Sequence, residues 1–383
     1  MMSLGLSSAE MDAYLATLAD DHFRRTRIEL LTTEHDEVMD LSASFKEGQV
    51  EIDATAEVTR SASVTLLDPD HKIGLDSRTP GDSQAFFNRM LRAWVDVWVD
   101  ALDRYVSVCV ITGPITGVTR DRETITVEVQ GKEALAKGPL MLDESRVFRR
   151  GSRRVLVIRE LLRMSGERHY LMPTSWPAPL AKDLTIKPTW QSWAHAVTVA
   201  ESMGAQLFYD GRGWARLRMA PLRSQHSFSH RIIEGEPQIA HSTSELKNAI
   251  TVTGGVPPKG KRKATAFRSI PPWHRFSPER LGRNGGDRYL PAESVEDDTL
   301  KSQSAVDAVA DRRVKEMMMI EGDVTFNCLP VYHLDPLDPV SVWQPGWSMR
   351  VQLSKATIPL AGGLMSVGYL RDLRHWSKRR ATR

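Results

Sequence analysis

The chain has 383 residues, of which 41% are apolar and 26% charged, close to the averages of folded soluble domains, which excludes a disordered or fibrous class. Its formal net charge of +3 is small, and both signs are spread along the sequence, so overall charge does not mark a nucleic-acid binder. The longest uncharged apolar runs fall far short of the roughly 20 residues a membrane helix needs, so no membrane span is expected, and the length predicts about two to four compact units.

The first residues, MMSLGLSSAEMDAYLATLADDH, have no basic start, apolar stretch or small-residue cleavage site, so no secretory signal is read. Ser7 and Glu10 instead fit a capping box ahead of Met11, Tyr14, Leu15 and Leu18 at helical spacing, which predicts an amphipathic helix. Thr26–Thr32 and Glu37–Ala43 read as strands. Gln49–Leu67 continues as a long alternation through Ile52, Ala54, Ala56 and Val58, stopped by Asp68-Pro69-Asp70. A loop at 76–82 containing Pro80-Gly81 leads to Arg92–Val99, where Val95, Val97 and Val99 line one face and Trp94 and Trp98 flank Asp96 on the other. Tryptophans opposite a valine core predict that this face is covered as well, by another domain or another chain, so Trp94 and Trp98 are the candidate interface residues.

The stretch RYVSVCVITGPITGVTRDRETITVEVQGKEALA, Arg104 to Ala136, reads as a three-stranded meander broken at Gly113-Pro114 and turned at Arg120-Asp121-Arg122, ending in a short helix at Lys132–Ala136. Residues 1–135 are thus expected to form a β-rich, barrel-like domain. The next block changes character. Ser152 is a fair N-cap for a helix at Arg153–Met164, and Trp190–Met203 is a second helix stopped by Gly204. A hairpin at Gln206–Met219 follows, turning on Asp210-Gly211-Arg212-Gly213. This α/β module is placed at 136–226.

Residues 227–383 return to β-structure. Leu246–Gly255 reads as a strand, 256–296 as a long Pro/Gly-rich loop with little periodicity that carries the basic run Lys259–Lys263, and 299–318 as a helix capped by Asp298 or Thr299. Asp323–Cys328, Val340–Trp343, Met349–Leu353 and Leu364–Leu373 are closing strands. The fold class is α+β, with two β-barrel-like domains and an α/β module between them.

The residues give little chemistry to build on. His226, His230 and His241 are the best metal candidates, but SQHSFSH looks extended, which puts positions four apart roughly 13 Å from each other, so His226 and His230 are read as a surface pair and no metal is expected. No Gly-x-Ser-x-Gly elbow, His-Glu-x-x-His frame or phosphate loop is present, since Gly254-Gly255 and Gly362-Gly363 lack the required context. Asp297-Asp298 fits a helix start, and Asp20-Asp21 is a solvated pair past a helix end. Cys109 and Cys328 both fall in β-like runs and read as buried small hydrophobes in a chain assembled in a reducing cytoplasm. Neither catalytic residue nor cofactor is expected, and the chain is not read as an enzyme. A nucleic-acid-binding module using 259–263 and the basic end from Arg371 to Arg383 is the alternative from charge.

Four passages resemble the hub proteins of bacteriophage tails. They are the meander from Tyr105 to Ala136, the helix–hairpin from Trp190 to Met219, the strand Asn248–Gly254, and the late helix followed by Asp323–Phe326, the Pro330–Pro339 segment and Val340–Trp343. Where hub families write a Gly-Asp-Val step, this chain has Asp338-Pro339-Val340. The resemblance implies tube domains at either end of the chain. It further implies a homotrimeric ring that joins distal tail or tail tube proteins to fibre or spike proteins at the tail tip, with DNA passing through the ring lumen. It places the protein in the virion, after assembly in the host cytoplasm. The alternative within that setting is a tail-associated cell-wall hydrolase.

Overall fold

The structure is a computed structural model that describes residues 4–70, 72–73, 88–137, 145–173, 176, 179–180, 182–187, 191–203, 205–219, 224–240, 247–256, 263–274, 276–282, 286–290, 293–297, 300, 302–317 and 323–371. Pro80-Gly81, Trp190, Gly204, His241, Lys259–Arg262, Asp298, Thr299 and the basic residues from Arg374 to Arg383 lie outside them. The chain divides into two compact units. One comprises Met1–Pro237, Thr325–Ser348 and Gln352–Gly368, and the other Gln238–Val324, Met349–Val351 and Tyr369–Arg383. The architecture is α+β with mostly antiparallel sheets.

The first unit opens with α1 (Ser8–Leu18), whose capping box forms as its sequence requires: Ser7 Oγ accepts from Glu10 N, and Ser7 N donates to the Glu10 carboxylate at 2.8 Å. Strands β1 (Arg24–Thr32), β2 (Glu37–Asp40), β3 (Phe45–Asp53), β4 (Arg60–Leu67), β5 (Arg89–Val99), β6 (Arg104–Asp121) and β7 (Thr124–Gln130) follow, and α2 (Glu133–Ala136) ends the run. The expected alternation past Ile52 is interrupted. Ala54, Ala56 and Val58 lie in the β3–β4 turn, which Asp53 closes by accepting from Thr55 N at 2.8 Å.

The expected break at Gly113-Pro114 is also absent. β6 is a single strand of 18 residues that pairs with β5 up to Pro114 and with β7 from Ile115 onward. Gly113 is required there by close approach rather than by a turn, because a Cβ would sit 1.8 Å from the Gln130 carbonyl oxygen.

The module adds β8 (Arg146–Phe148), α3 (Arg154–Met164), β9 (Tyr170–Leu171), β10 (Leu184–Ile186), α4 (Ser192–Glu201) and the hairpin β11 (Ala205–Tyr209) and β12 (Ala215–Met219). Its core joins Ile158, Leu161 and Leu162 of α3 to Trp193, Ala196 and Ala200 of α4 and to Leu207 and Leu217 of the hairpin. The N-cap of α3 is Arg153 rather than Ser152 and makes no side-chain cap bond.

Strands β13 (His226–Ser229) and β14 (Ile233–Ala240) come next, and β18 (Asp323–Cys328), β19 (Pro339–Gln344), β20 (Trp347–Pro359) and β21 (Met365–Arg371) close the chain. They join the first strands in one sheet ordered β14-β18-β21-β20-β3-β4-β7-β6-β5-β1-β2. That path has two ends and is not a closed barrel among the described residues. β3 and β20 are antiparallel neighbours, so strands from the two ends of the sequence complete one surface.

In the second unit β15 (Ala249–Gly254) is the middle strand between β16 (Thr265–Ser269) and β17 (Glu293–Asp297), and α6 (Gln303–Met317) covers it with Val306, Ala310 and Val314 on Ile250 and Val252. The stretch 256–296, expected to lack periodic structure, therefore supplies two strands, as well as the short helix α5 (Pro278–Leu281). Buried Asn248 organises it: its side-chain amide donates to the carbonyls of Phe276 and Arg288, and its oxygen accepts from Leu290 N at 2.8 Å.

The segment between β18 and β19 passes through the interior of the first unit, with Val331, Tyr332, His333, Leu334, Asp335 and Asp338 all fully buried. It is fixed by charge. Arg60 of β4, 1% exposed at its side chain, bonds the Asp335 carboxylate at 2.9 Å and the carbonyls of Val110 and Leu334. Arg218 of β12 pairs with Asp338 at 2.9 Å and donates to the Pro336 carbonyl at 2.8 Å. Burial pushes the Asp335 carboxyl up, but Arg60, Arg218 and Arg216 hold it below its ordinary value. Leu337 between the two aspartates is held at φ +60, a left-handed conformation disfavoured for leucine.

Asp335→Ala, which strands a buried guanidinium, is expected to destabilise the first unit by about 3–5 kcal/mol. Arg60→Met with Asp335→Leu should cost less than Asp335→Ala alone. Urea unfolding of the three proteins measures the difference.

Candidate interaction face

Period-two side-chain placement puts Val95, Val97 and Val99 of β5 in the core and turns Arg92, Trp94, Asp96 and Trp98 outward. The neighbouring strands set what surrounds them. In β1, Arg25 lies opposite Asp96, Arg27 opposite Trp94 and Glu29 opposite Arg92, while in β6 Tyr105 lies opposite Trp98, Ser107 opposite Asp96 and Cys109 opposite Trp94. The sequence R-R-T-R-I-E carries the complementary alternation, so both strands expose a polar face over an apolar one.

Asp96 is fully buried although it points outward, because Arg25 and Arg27 close over it at 2.9 and 2.8 Å. Burial pushes its carboxyl up, but hydrogen bonds from Arg27, Ser107 and Arg25 hold it below the ordinary range. Arg27 reaches on to Glu29 at 3.0 Å, Arg92 pairs with Glu29 at 3.4 Å, and Arg92 donates to His35 Nδ1 at 3.1 Å. Lys132 Nζ contacts His35 Nε2 at 3.0 Å and pairs with Glu167 at 2.7 Å. Burial, with the charges of Lys132, His169 and Arg92, pushes His35 down to about 3, so it is a neutral link between two cations in the polar chain that runs from the module to the outer face.

The two tryptophans differ. Trp94 lies between the guanidinium groups of Arg27 and Arg92, 5.1 and 5.9 Å from its ring, and its Nε1 is buried without a hydrogen bond. Trp98 belongs to an open aromatic group: its ring meets Tyr105 at 5.0 Å edge-on, Phe23 approaches Tyr105 at 6.4 Å, and Arg25 stacks on Tyr105 at 4.2 Å. Phe23 is 66% exposed. Phe23, Arg25 and Tyr105 were not legible as part of this group, since only the pairing of β1 with β5 and β6 assembles them.

The module covers the other end. The Asp210–Gly213 turn is held by Asp210, which accepts from Arg212 N at 3.0 Å and Trp214 N at 3.1 Å, and the Gly211 carbonyl accepts from Cys109 Sγ at 3.1 Å. A Cβ on Gly211 would lie 1.9 Å from the Cys109 carbonyl oxygen, so only glycine allows this approach.

Other candidate residues are placed as follows. Cys109 and Cys328 are buried free thiols, with burial pushing Cys109 up to about 12. His226 and His230 are not a surface pair. His226 turns inward, 5.5 Å from the His333 ring, while His230 lies against Trp343 at 5.0 Å. Among the described residues no group of His, Cys, Asp and Glu is arranged to hold a metal ion, and no helix is long and apolar enough to cross a membrane. A cleft of about 430 Å³ between the β3–β4 turn and α4 is lined by Thr55, Glu57, Lys137, Trp193, Gln206 and Leu337 among others, without serine, cysteine or histidine.

No protein-family model and no curated protein matches the chain. Solved structures do share its fold. The 43 kDa tail protein of prophage MuSo2 from Shewanella oneidensis superposes with a TM-score of 0.61 at 13% identity, covering 90% of this chain and 98% of that one. The tail protein from Neisseria meningitidis MC58 gives 0.63 at 10% identity, covering 91% and 97%. Prophage tail protein gp18 from Listeria monocytogenes EGD-e gives 0.53 at 12% identity, covering 93% and 97%. These three structural neighbours are phage tail proteins, and what they share with this chain is the fold.

Gly211→Ala is expected to lower stability by about 1–3 kcal/mol through backbone displacement, read as a lower thermal midpoint. Gly117→Ala, whose Cβ would meet Glu128 at an ordinary 3.5 Å, serves as the control and should leave the midpoint nearly unchanged.

Proposed function

We propose that this chain is a structural tail protein, a hub at the tail tip or baseplate that joins the tail tube to the host-recognition or spike apparatus and acts by shape rather than by catalysis. The observation that carries the reading is a fold shared with phage tail proteins over nine-tenths of the chain and nearly all of theirs. The buried charge networks add to it: they are spent on fixing elements to one another, not on a reactive cleft.

In this reading 1–135 and 227–383 are barrel-like tube domains and 136–226 is the module between them. Three copies form a ring, assembled in the host cytoplasm and carried in the virion, with DNA passing through its lumen. The contact between copies, or with a tube protein, uses the outward face of β5. Trp94 is a structural element of that face, sandwiched by arginines. Trp98, with Phe23, Tyr105 and Arg25, has the composition of an interface hot spot, aromatic and guanidinium groups grouped at an exposed edge.

Trp98→Glu with Phe23→Glu is expected to leave the fold intact and to weaken association by about 2 kcal/mol or more. Sedimentation equilibrium should show the native chain as a trimer and the variant shifted to monomer at roughly 10–50 µM. A native chain that stays monomeric even with tail tube protein present would contradict the ring, and a variant that associates as well as the native chain would remove this face from it.

A further inference from the structure

Behind α1 lies a row of rings with nothing to bond. Tyr14 of α1 is fully buried and meets His333 edge-on at 5.5 Å, His333 meets His226 of β13 at 5.5 Å, and His226 meets Phe228 at 4.5 Å. The Tyr14 hydroxyl, both ring nitrogens of His333 and both of His226 are buried and make no hydrogen bond. Five orphaned polar atoms in adjoining side chains are unusual in a folded interior, where nearly all such groups are paired.

Among the described residues the surroundings offer no counter-ion. Tyr14 comes from α1, and burial pushes its hydroxyl further toward the neutral form. His22 and Arg24 face the adjoining Tyr332, with Arg24 donating to its hydroxyl at 2.5 Å, and these are cationic or neutral groups. Asp335, two residues beyond His333, is taken up by Arg60 and Arg218. From the β13 side Phe228 packs on Phe326. Among the described residues no carboxylate bonds either imidazole, so a proton arriving on one would be a buried charge without a partner.

We propose that the Tyr14–His333–His226 row is an acid-operated latch: both imidazoles must be neutral for α1 to stay seated, and their protonation releases it. α1 is the element that yields because it is short and buries mainly Tyr14 and Leu18, while its outer face is tied by the Glu10–Arg104 pair at 2.6 Å. Lifting it uncovers the His333 ring that Tyr14 packs against. Burial pushes His226 down to about 4, and burial together with the neighbouring His226 holds His333 well below its ordinary value. A histidine whose pKa is depressed in the closed state stabilises that state fully above its ordinary value near 6.5. The stabilisation is lost as pH falls from about 6.5 toward 4, with up to tenfold more opening per pH unit for each histidine.

Native-state hydrogen exchange of the full chain between pH 7.5 and 4.5, corrected for the intrinsic rate, tests this. The α1 amides of Leu15 to Leu18 are expected to gain tenfold or more in opening between about pH 6.5 and 5, while α3 amides in the same molecule change much less. In His226→Phe, which replaces the ring with one that cannot be protonated, the pH slope at α1 should fall. α1 and α3 amides following one pH profile in the native chain would overturn the latch, whether or not the variant folds. So would an unchanged slope in a folded His226→Phe protein.

Discussion

The buried contact between Arg60 and Asp335 is what the first unit is built around. A guanidinium and a carboxylate, both withdrawn from water, need partners for their remaining hydrogen-bonding positions, and here backbone carbonyls take the two terminal nitrogens of Arg60 while its Nε is left without a bond. Val110 of β6 and Leu334 of the central segment accept from Arg60, and Arg218 brings β12 of the module to the same segment through Pro336 and Asp338. Leu353 N of β20 donates to the Asp338 carbonyl at 2.9 Å, and Leu337 N donates back to the Leu353 carbonyl at 2.8 Å. One short stretch of chain is thus fixed to three strands that are far apart in sequence, β4, β12 and β20, and through Arg60 to β6. That arrangement holds Leu337 in a conformation leucine does not choose, and it fixes the position of the module hairpin whose glycine turn rests on β6.

The outer face follows from that positioning. Because the Asp210–Gly213 turn occupies the Cys109 end, the aromatic group at the Trp98 end is what remains uncovered. The ions between the two ends are already paired, Lys132 with Glu167, Arg92 and Arg27 with Glu29, and Arg27 and Arg25 with Asp96. A face with its charges neutralised internally contributes shape and apolar area to a contact, whereas exposed ion pairs contribute little.

Features set by neighbours in sequence are legible in the sequence alone. The capping box of α1, the outward tryptophans of β5 and the hairpin at Asp210–Gly213 depend on spacing of two to four residues, and the chain states them directly. Misreadings arose where two local rules compete. Ala54, Ala56 and Val58 keep the alternation of a strand although the Asp53 side chain turns the backbone, and Gly113-Pro114 has turn composition although β6 runs straight through it to change partners. The stretch 256–296 looked irregular because its strands are short and its organiser, Asn248, lies outside it. The Arg60–Asp335 pair spans 275 residues and leaves no local pattern, and the meeting of Trp98 with Phe23 and Tyr105 likewise exists only once β1, β5 and β6 are side by side. The family resemblance reached further than the residues did, because it carried topology that no window of sequence contains.

Fold likeness at about one identity in ten leaves position in a particle as the most direct test. Electron microscopy of intact particles labelled with an antibody against this chain measures it. Label confined to the tail tip, at a stoichiometry of three copies per tail, is the expected result. Label spread along the tube or on the head, or particles that lack the chain altogether, would contradict a hub role.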